Sequence, residues 1–152
     1  MSARVLFACW PFEGHVFPHI SVATAVREAG GSVGFYSGDR ARDAIASQGF
    51  ELVGFDRVEG AWLRVHEREQ TVGGRRQSLR VQREAFRDWL VESIPGQVAD
   101  LRHVIDRFEP DVIVSDASMW GPPLVLHEAD DRFTPEAEAI HRDAGGVYAE
   151  DG

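Results

Sequence analysis

The fold is decided near the start of the chain, where residues 3–18 read ARVLFACWPFEGHVFP. Residues 3–9 are almost all apolar, which is typical of a strand buried on both faces of a parallel sheet. Residues 10–17 have the composition of a loop. Pro18 suits the first position of a helix, which Gly30 and Gly31 would end. The segment therefore predicts a strand, a loop and a helix in direct succession.

The rest of the chain continues this alternation. Three further apolar runs predict strands at 32–36, 50–55 and 111–116. Helical spacing of apolar residues predicts helices at 39–49, 76–94, 97–108 and 120–129. We expect Pro95 and Gly96 to separate the second of these helices from the third. The order is typical of the α/β class, with a Rossmann-like, doubly wound parallel sheet in the strand order 3-2-1-4.

The predicted domain covers residues 1–129. Beyond it the sequence changes character, since residues 128–152 hold eight acidic residues against two arginines and offer no convincing fifth strand. We expect residues 130–152 to form an acidic, weakly structured tail with a weak helix at about 135–143.

Composition excludes several classes of function. The chain has 152 residues, a net charge of −9 and no lysine, which argues against nucleic-acid binding and excludes a lysine nucleophile. Its one cysteine, Cys9, rules out an internal disulfide, and the histidines show no metal-ligand spacing, so no metal is expected. No apolar run is long enough to span a membrane and no secretory signal is recognisable, so we expect a cytoplasmic protein.

Two polar side chains follow two neighbouring strands of the predicted sheet, the first and the fourth. His15 lies in the loop after the first strand, and Asp116 ends the fourth. Strand order reverses between these strands, and open parallel sheets bind ligands at such a reversal. An imidazole there can take a proton from a hydroxyl while a carboxylate holds the ring in one tautomer. The alternative is structural, with His15 bonded only to backbone at a helix start and Asp116 capping a strand end.

The residues around both positions resemble the GT-B glycosyltransferases of family 1, which include enzymes that glycosylate natural products. Residues 14–18, GHVFP, are similar to the Gly-His-x-x-Pro motif after the first strand of that family. Residues 111–116, DVIVSD, are similar to the strand that carries the partner of the histidine. The resemblance covers residues 3–129 and implies the N-terminal, acceptor-binding half of a GT-B fold, incomplete because the later strands and the nucleotide-sugar domain have no counterpart in this sequence.

The resemblance also implies roles for individual residues. His15 would be the catalytic base and Asp116 its partner, and the donor would be a nucleotide sugar, with no cofactor. The acceptor-binding residues would be Trp10, Phe12, Gly14, Phe17, Met119 and Trp120. Their aromatic rings suit a flat, apolar aglycone, as in antibiotic biosynthesis. Alternatively, Trp10 and Trp120 pack the sheet edge and Gly14 serves a turn.

Several functions are compatible with such a chain. We expect it to be inactive alone and to need a C-terminal donor domain or a partner transferase chain. A non-catalytic auxiliary half-domain that pairs with a full transferase is the alternative, and a truncated fragment without function is a third hypothesis. A dinucleotide-binding module is disfavoured, because residues 10–18 contain one glycine instead of the three-glycine fingerprint.

Overall fold

The computed structural model describes residues 2–58 and 79–130. The strands in this part of the chain are β1 (Arg4–Ala8), β2 (Ser32–Ser37), β3 (Glu51–Gly54) and β4 (Val112–Ser115). The helices are α1 (Glu13–Glu28), α2 (Arg42–Ser47), α3 (Leu79–Leu90), α4 (Ile94–Phe108) and α5 (Gly121–Asp130), with a short 3-10 helix (Asp39–Ala41) before α2.

The four strands form one parallel sheet in the order β3-β2-β1-β4. The predicted α/β class and strand order are therefore confirmed. β1 is central and pairs with β2 on one side and β4 on the other. Ala8, its last residue, lies opposite Tyr36 of β2 and Ser115 of β4. The carboxyl ends of β1 and β4 are therefore immediate neighbours.

Burial on both faces explains the continuous apolar sequence of β1. Successive side chains of a strand point to opposite faces. Leu6, Ala8 and Trp10 pack in one core cluster with residues of α4 and α5, and Phe7 and Cys9 pack in a second with residues of α1 and α2. The sheet is thus covered by helices on both sides, as a parallel sheet requires.

Helix α1 begins at Glu13, five residues before the predicted start at Pro18. Phe12 precedes the helix, and its carbonyl accepts hydrogen bonds from the amides of His15 and Val16 at 2.9 and 2.8 Å. Pro18 lies inside the helix, where its missing N–H removes a single hydrogen bond, the one to the carbonyl of Gly14. His15 therefore lies in the first turn of a helix. The prediction that it lies in a loop is wrong.

The boundary between α3 and α4 also differs from the prediction. The helices are separated at residues 91–93, and Pro95 and Gly96 belong to the first turn of α4. A proline at this position costs little, because the amides of a first turn have no partner within the helix. At its other end α4 stops at Glu109, which adopts a left-handed conformation with φ 48° just before Pro110.

A buried carboxylate attaches the segment after β3 to α4. Asp100 accepts hydrogen bonds from the Tyr36 hydroxyl at 3.2 Å and from the amides of Asp56 and Arg57 at 3.1 Å. Burial and the nearby carboxylate raise the pKa of Tyr36, which stays a neutral donor. These contacts hold α4 against the face of the sheet that carries Trp10.

Three predictions fall outside the described residues, namely the start of a helix at 76, the weakly structured tail beyond residue 130 and the weak helix at 135–143 within that tail. The strands predicted at 3–9, 32–36, 50–55 and 111–116 each match a strand of the sheet to within one residue at either end. None of the described helices combines the length and apolar character that a membrane span needs.

The junction between α4 and α5 predicts a specific packing defect. A Cβ at Gly121 would overlap the Cβ of Gln97 and stand 2.9 Å from its Oε1, which accepts the Gly121 amide. Gly121→Ala should therefore lower the free energy of unfolding in urea by about 1–3 kcal/mol. Gly14→Ala is the matched control, because a Cβ at this helical position meets nothing within 4 Å and should stabilise by about 0.5–1 kcal/mol. Equal effects of the two substitutions would contradict the packing described.

Candidate active site

The site lies where β1 and β4 end. Beyond the last paired residues, the amide of Asp116 donates to the carbonyl of Ala8 at 2.8 Å and extends the ladder by one bond. The chain leaving β1 passes through residues 9–12 into α1, whose first turn presents His15. Residues 101 positions apart are thereby brought to one edge of the sheet.

His15 and Asp116 are in direct contact. The Nδ1 atom of the imidazole is hydrogen-bonded to Oδ2 of the carboxylate. Asp116 is buried, with 7% of its side chain exposed, whereas His15 keeps 33% of its side chain exposed. The pair therefore has a buried acidic member and a member that solvent or a ligand can reach.

The second carboxylate oxygen of Asp116, Oδ1, accepts two hydrogen bonds from Ser118. The backbone amide of Ser118 donates to Oδ1 at 2.9 Å, and the Ser118 hydroxyl donates to the same atom at 2.6 Å. Burial by itself raises the pKa of Asp116, but the Ser118 hydroxyl and amide and the His15 ring outweigh that effect. The net pKa of Asp116 lies below its ordinary value, so this group is a carboxylate at neutral pH.

The contact with an ionised carboxylate determines the tautomer of the neutral imidazole. A carboxylate can only accept hydrogen bonds, so Nδ1 of His15 carries the proton. The lone pair then resides on Nε2, which has no hydrogen bond to any residue in the described ranges. A ring held in this state can accept a proton at Nε2 from a hydroxyl brought to it.

The predicted acceptor-binding residues fall into two groups. Phe12 lies beside the His15–Asp116 pair, with its ring centroid 5.8 Å from that of His15, and Phe17 and Trp120 are about half exposed. Gly14 is exposed in the first turn of α1 and does not have a positive φ, so the alternative role in a turn is wrong. The second group, Trp10 and Met119, is buried in the core.

Trp10 has no exposed surface, and its indole N–H donates to the carbonyl of Ser118 at 3.3 Å. Of the two interpretations given for this residue, the structure favours packing. Trp10 and Met119 can affect a ligand only through the residues they support.

Sequence reasoning missed Trp89, which extends the aromatic cluster beside His15. This residue of α3 packs against Trp10 and Phe12 with centroid distances of 5.4 and 5.5 Å. Its buried indole nitrogen has no hydrogen-bond partner among the described residues. Spacing could have found it, because Trp89 follows Phe86 by three residues in the predicted helix, and apolar residues three apart share one helix face.

The remaining candidate groups in the described residues are the single cysteine and possible metal ligands. Burial raises the pKa of the Cys9 thiol to about 12, so Cys9 is a protonated core residue. Within residues 2–58 and 79–130, no three histidine, cysteine or acidic side chains are grouped so that they could hold a metal ion.

The lowered pKa of Asp116 predicts how its contribution to stability depends on pH. The folded chain binds this proton less tightly than the unfolded chain, so protonation favours unfolding. The stabilisation is complete above the unfolded pKa, near 3.8, and is lost as pH falls through the folded-state value. Urea titration of wild type and Asp116→Asn should show a difference of about 1.5–3 kcal/mol at pH 7, and this difference should shrink as the pH falls below 3.8. A difference that stays constant down to the lowest pH at which the chain folds would contradict the assignment.

No family model matches this sequence. Among curated proteins, the chain is similar to a 4'-demethylrebeccamycin synthase from Lentzea aerocolonigenes, with 30% identity over 127 residues. The match covers 82% of this chain and 30% of the relative, so the chain spans about a third of the length of that protein.

Solved structures of glycosyltransferases share the fold. The glycotransferase of kitacinnamycin matches 85% of this chain and 28% of its own, with a TM-score of 0.62 and 16% identity. SsfS6 from Streptomyces sp. SF2575, complexed with thymidine diphosphate, matches 81% of this chain and 35% of its own, with a TM-score of 0.59 and 19% identity. The resemblance seen in the sequence is thereby confirmed, and the described residues have the fold of the N-terminal Rossmann-like domain of GT-B glycosyltransferases.

Proposed function

We propose that this chain is the acceptor-binding half of a glycosyltransferase that moves a sugar from a nucleotide sugar to a hydroxyl of an apolar natural-product aglycone. The observation that carries the proposal is the contact between the exposed His15 ring and the buried Asp116 carboxylate at the reversal of strand order. Similarity to a 4'-demethylrebeccamycin synthase supports the reaction class.

The geometry suits a base-assisted displacement. Nε2 of His15 takes the proton of the acceptor hydroxyl as the oxygen attacks the anomeric carbon of the donor sugar. The bond between that carbon and the nucleoside diphosphate breaks, and the diphosphate leaves with the bonding electrons. Asp116 stabilises the imidazolium that forms and keeps the ring oriented throughout.

The ring of Phe12 beside His15 and two further exposed aromatic side chains support an apolar acceptor. Phe12 lies against the ring, and Phe17 and Trp120 offer exposed aromatic surface. Aromatic walls bind flat ring systems through apolar burial and ring contacts. We propose that these three residues contact the aglycone. Of the three, Phe12 packs in one core cluster with Trp10, Met119 and Trp89, which fix its position.

The share of the relatives that this chain covers bears on its activity. It matches 30% of the 4'-demethylrebeccamycin synthase and 35% of SsfS6, whose structure holds thymidine diphosphate. We propose that donor binding requires a further half, in the same polypeptide or in a partner chain, and that the described residues do not turn over substrate alone.

A second candidate function is that of an auxiliary half-domain which pairs with a complete transferase. The edge of the sheet favours it, because within the described residues β4 pairs only with β1 and leaves its other side open. Val112 is half exposed there, beside a groove of about 480 Å³ lined by Ile105, Val112 and Ile113 among others. An open, apolar strand edge is suited to pairing with another chain.

Substitution of His15 tests the base. In a polypeptide that joins this chain to a nucleotide-sugar-binding half, His15→Ala should lower kcat by about 100- to 10,000-fold, because the acceptor hydroxyl loses its proton acceptor. Acceptor affinity should be retained, because the aromatic residues are unchanged. Product formation from a thymidine diphosphate sugar and a panel of aromatic aglycones gives kcat, and quenching of tryptophan fluorescence gives Kd.

His103→Ala is the matched control, since His103 is exposed on α4, and it should keep wild-type turnover. Full activity of His15→Ala would end the base assignment. If this chain instead increases the turnover of a separate transferase on mixing, and His15→Ala does so equally well, the auxiliary function is correct.

A further inference from the structure

We propose that Ser118 is the positioning residue of the site, because it fixes the rotation of the Asp116 carboxylate so that Oδ2 faces His15. This inference rests on the proposed function for its catalytic meaning, whereas the orientation of the carboxylate can be tested without any transfer reaction.

Two donors from one residue converge on one carboxylate oxygen. The amide and the hydroxyl of Ser118 lie 2.9 and 2.6 Å from Oδ1 of Asp116. A carboxylate held at one oxygen from two directions cannot turn about its Cβ–Cγ bond without breaking both hydrogen bonds. The other oxygen is thereby left for the imidazole.

Ser118 is itself anchored to the core. Its carbonyl accepts the indole N–H of Trp10 at 3.3 Å, and Trp10 is fully buried just beyond the end of β1. The turn is closed by the amide of Met119, which donates to the carbonyl of Asp116 at 3.0 Å. The segment after β4 is therefore tied to the segment after β1 from which α1 and His15 begin. This tie sets the separation of the two catalytic side chains.

The Ser118 hydroxyl also favours the charge of Asp116. The carboxyl is 7% exposed, and burial alone favours its neutral form. A neutral carboxyl would stabilise an imidazolium far less than a carboxylate does. The titratable groups that face Asp116 are the His15 ring on α1 and the Cys9 thiol at the end of β1, and the thiol stays protonated. Ser118 is therefore the uncharged group that holds this carboxylate ionised.

The experiment is an NMR titration of the Asp116 carboxyl carbon in the full 152-residue chain. Ser118→Ala should raise the pKa of Asp116, because the ionised form loses its closest hydroxyl donor. Ser118→Thr should restore the wild-type pKa, because threonine keeps both the hydroxyl and the amide. Ser115→Ala is the matched control, since Ser115 is an exposed neighbouring serine at the end of β4, and it should titrate like wild type.

The pair Ser118→Val and Ser118→Thr keeps the test valid if the alanine variant does not fold. Ser118→Val has the shape of Ser118→Thr without the hydroxyl, so a pKa raised in the valine variant and not in the threonine variant supports the proposal. An unchanged pKa in both Ser118→Ala and Ser118→Val would overturn it, as would a raised pKa that threonine does not restore.

Turnover gives an independent reading in the joined transferase. Ser118→Ala should lower kcat on the order of tenfold with KM unchanged, and Ser118→Thr should recover it. If Ser118→Ala raises the pKa of Asp116 while His15→Ala keeps full activity, Ser118 is the positioning residue and the proposed function is wrong. If His15 is essential and Ser118→Ala leaves the pKa of Asp116 unchanged, only the role of Ser118 is wrong.

Discussion

The parallel pairing of β1 with β4 is the constraint on which the site depends. These strands are more than 100 residues apart in sequence, and their ladder ends with the Asp116 amide bound to the carbonyl of Ala8. Beyond its last residue β1 continues into α1, and β4 continues into the turn that contains Ser118. Because both segments start from the same edge of the sheet, the imidazole of His15 and the carboxylate of Asp116 are in direct contact.

The two members of the His15–Asp116 pair differ in burial. Asp116 is enclosed, supplied with three donors and kept ionised, whereas His15 reaches the surface. The fully buried Trp10 stabilises this arrangement twice, through packing against Phe55 and Trp89 and through its bond to Ser118. An aromatic residue first considered for ligand contact is therefore part of the support beneath the site.

Much of this architecture could be predicted from the sequence, because a strand that is buried on both faces of the sheet has a continuous apolar sequence. The apolar run of β1 and the alternation of strands and helices fix the strand order, and that order places His15 near Asp116. Helix boundaries were less predictable. Pro18 lies inside α1 and not at its start, and Pro95 lies in the first turn of α4 and not between two helices, because the position of a proline within a helix depends on the surrounding contacts. The roles of Trp10 and Trp89 depend on contacts between distant elements, which periodicity along one element does not reveal.

The contact between His15 and Asp116 is tested most directly by nitrogen-15 NMR of the His15 ring at a pH where the ring is neutral. Free histidine favours a proton on Nε2, whereas we expect His15 to carry it on Nδ1, with the signal of that proton lost in Asp116→Asn. A ring protonated mainly on Nε2, or one that is indifferent to Asp116→Asn, would show that Asp116 does not hold the ring in the proposed tautomer.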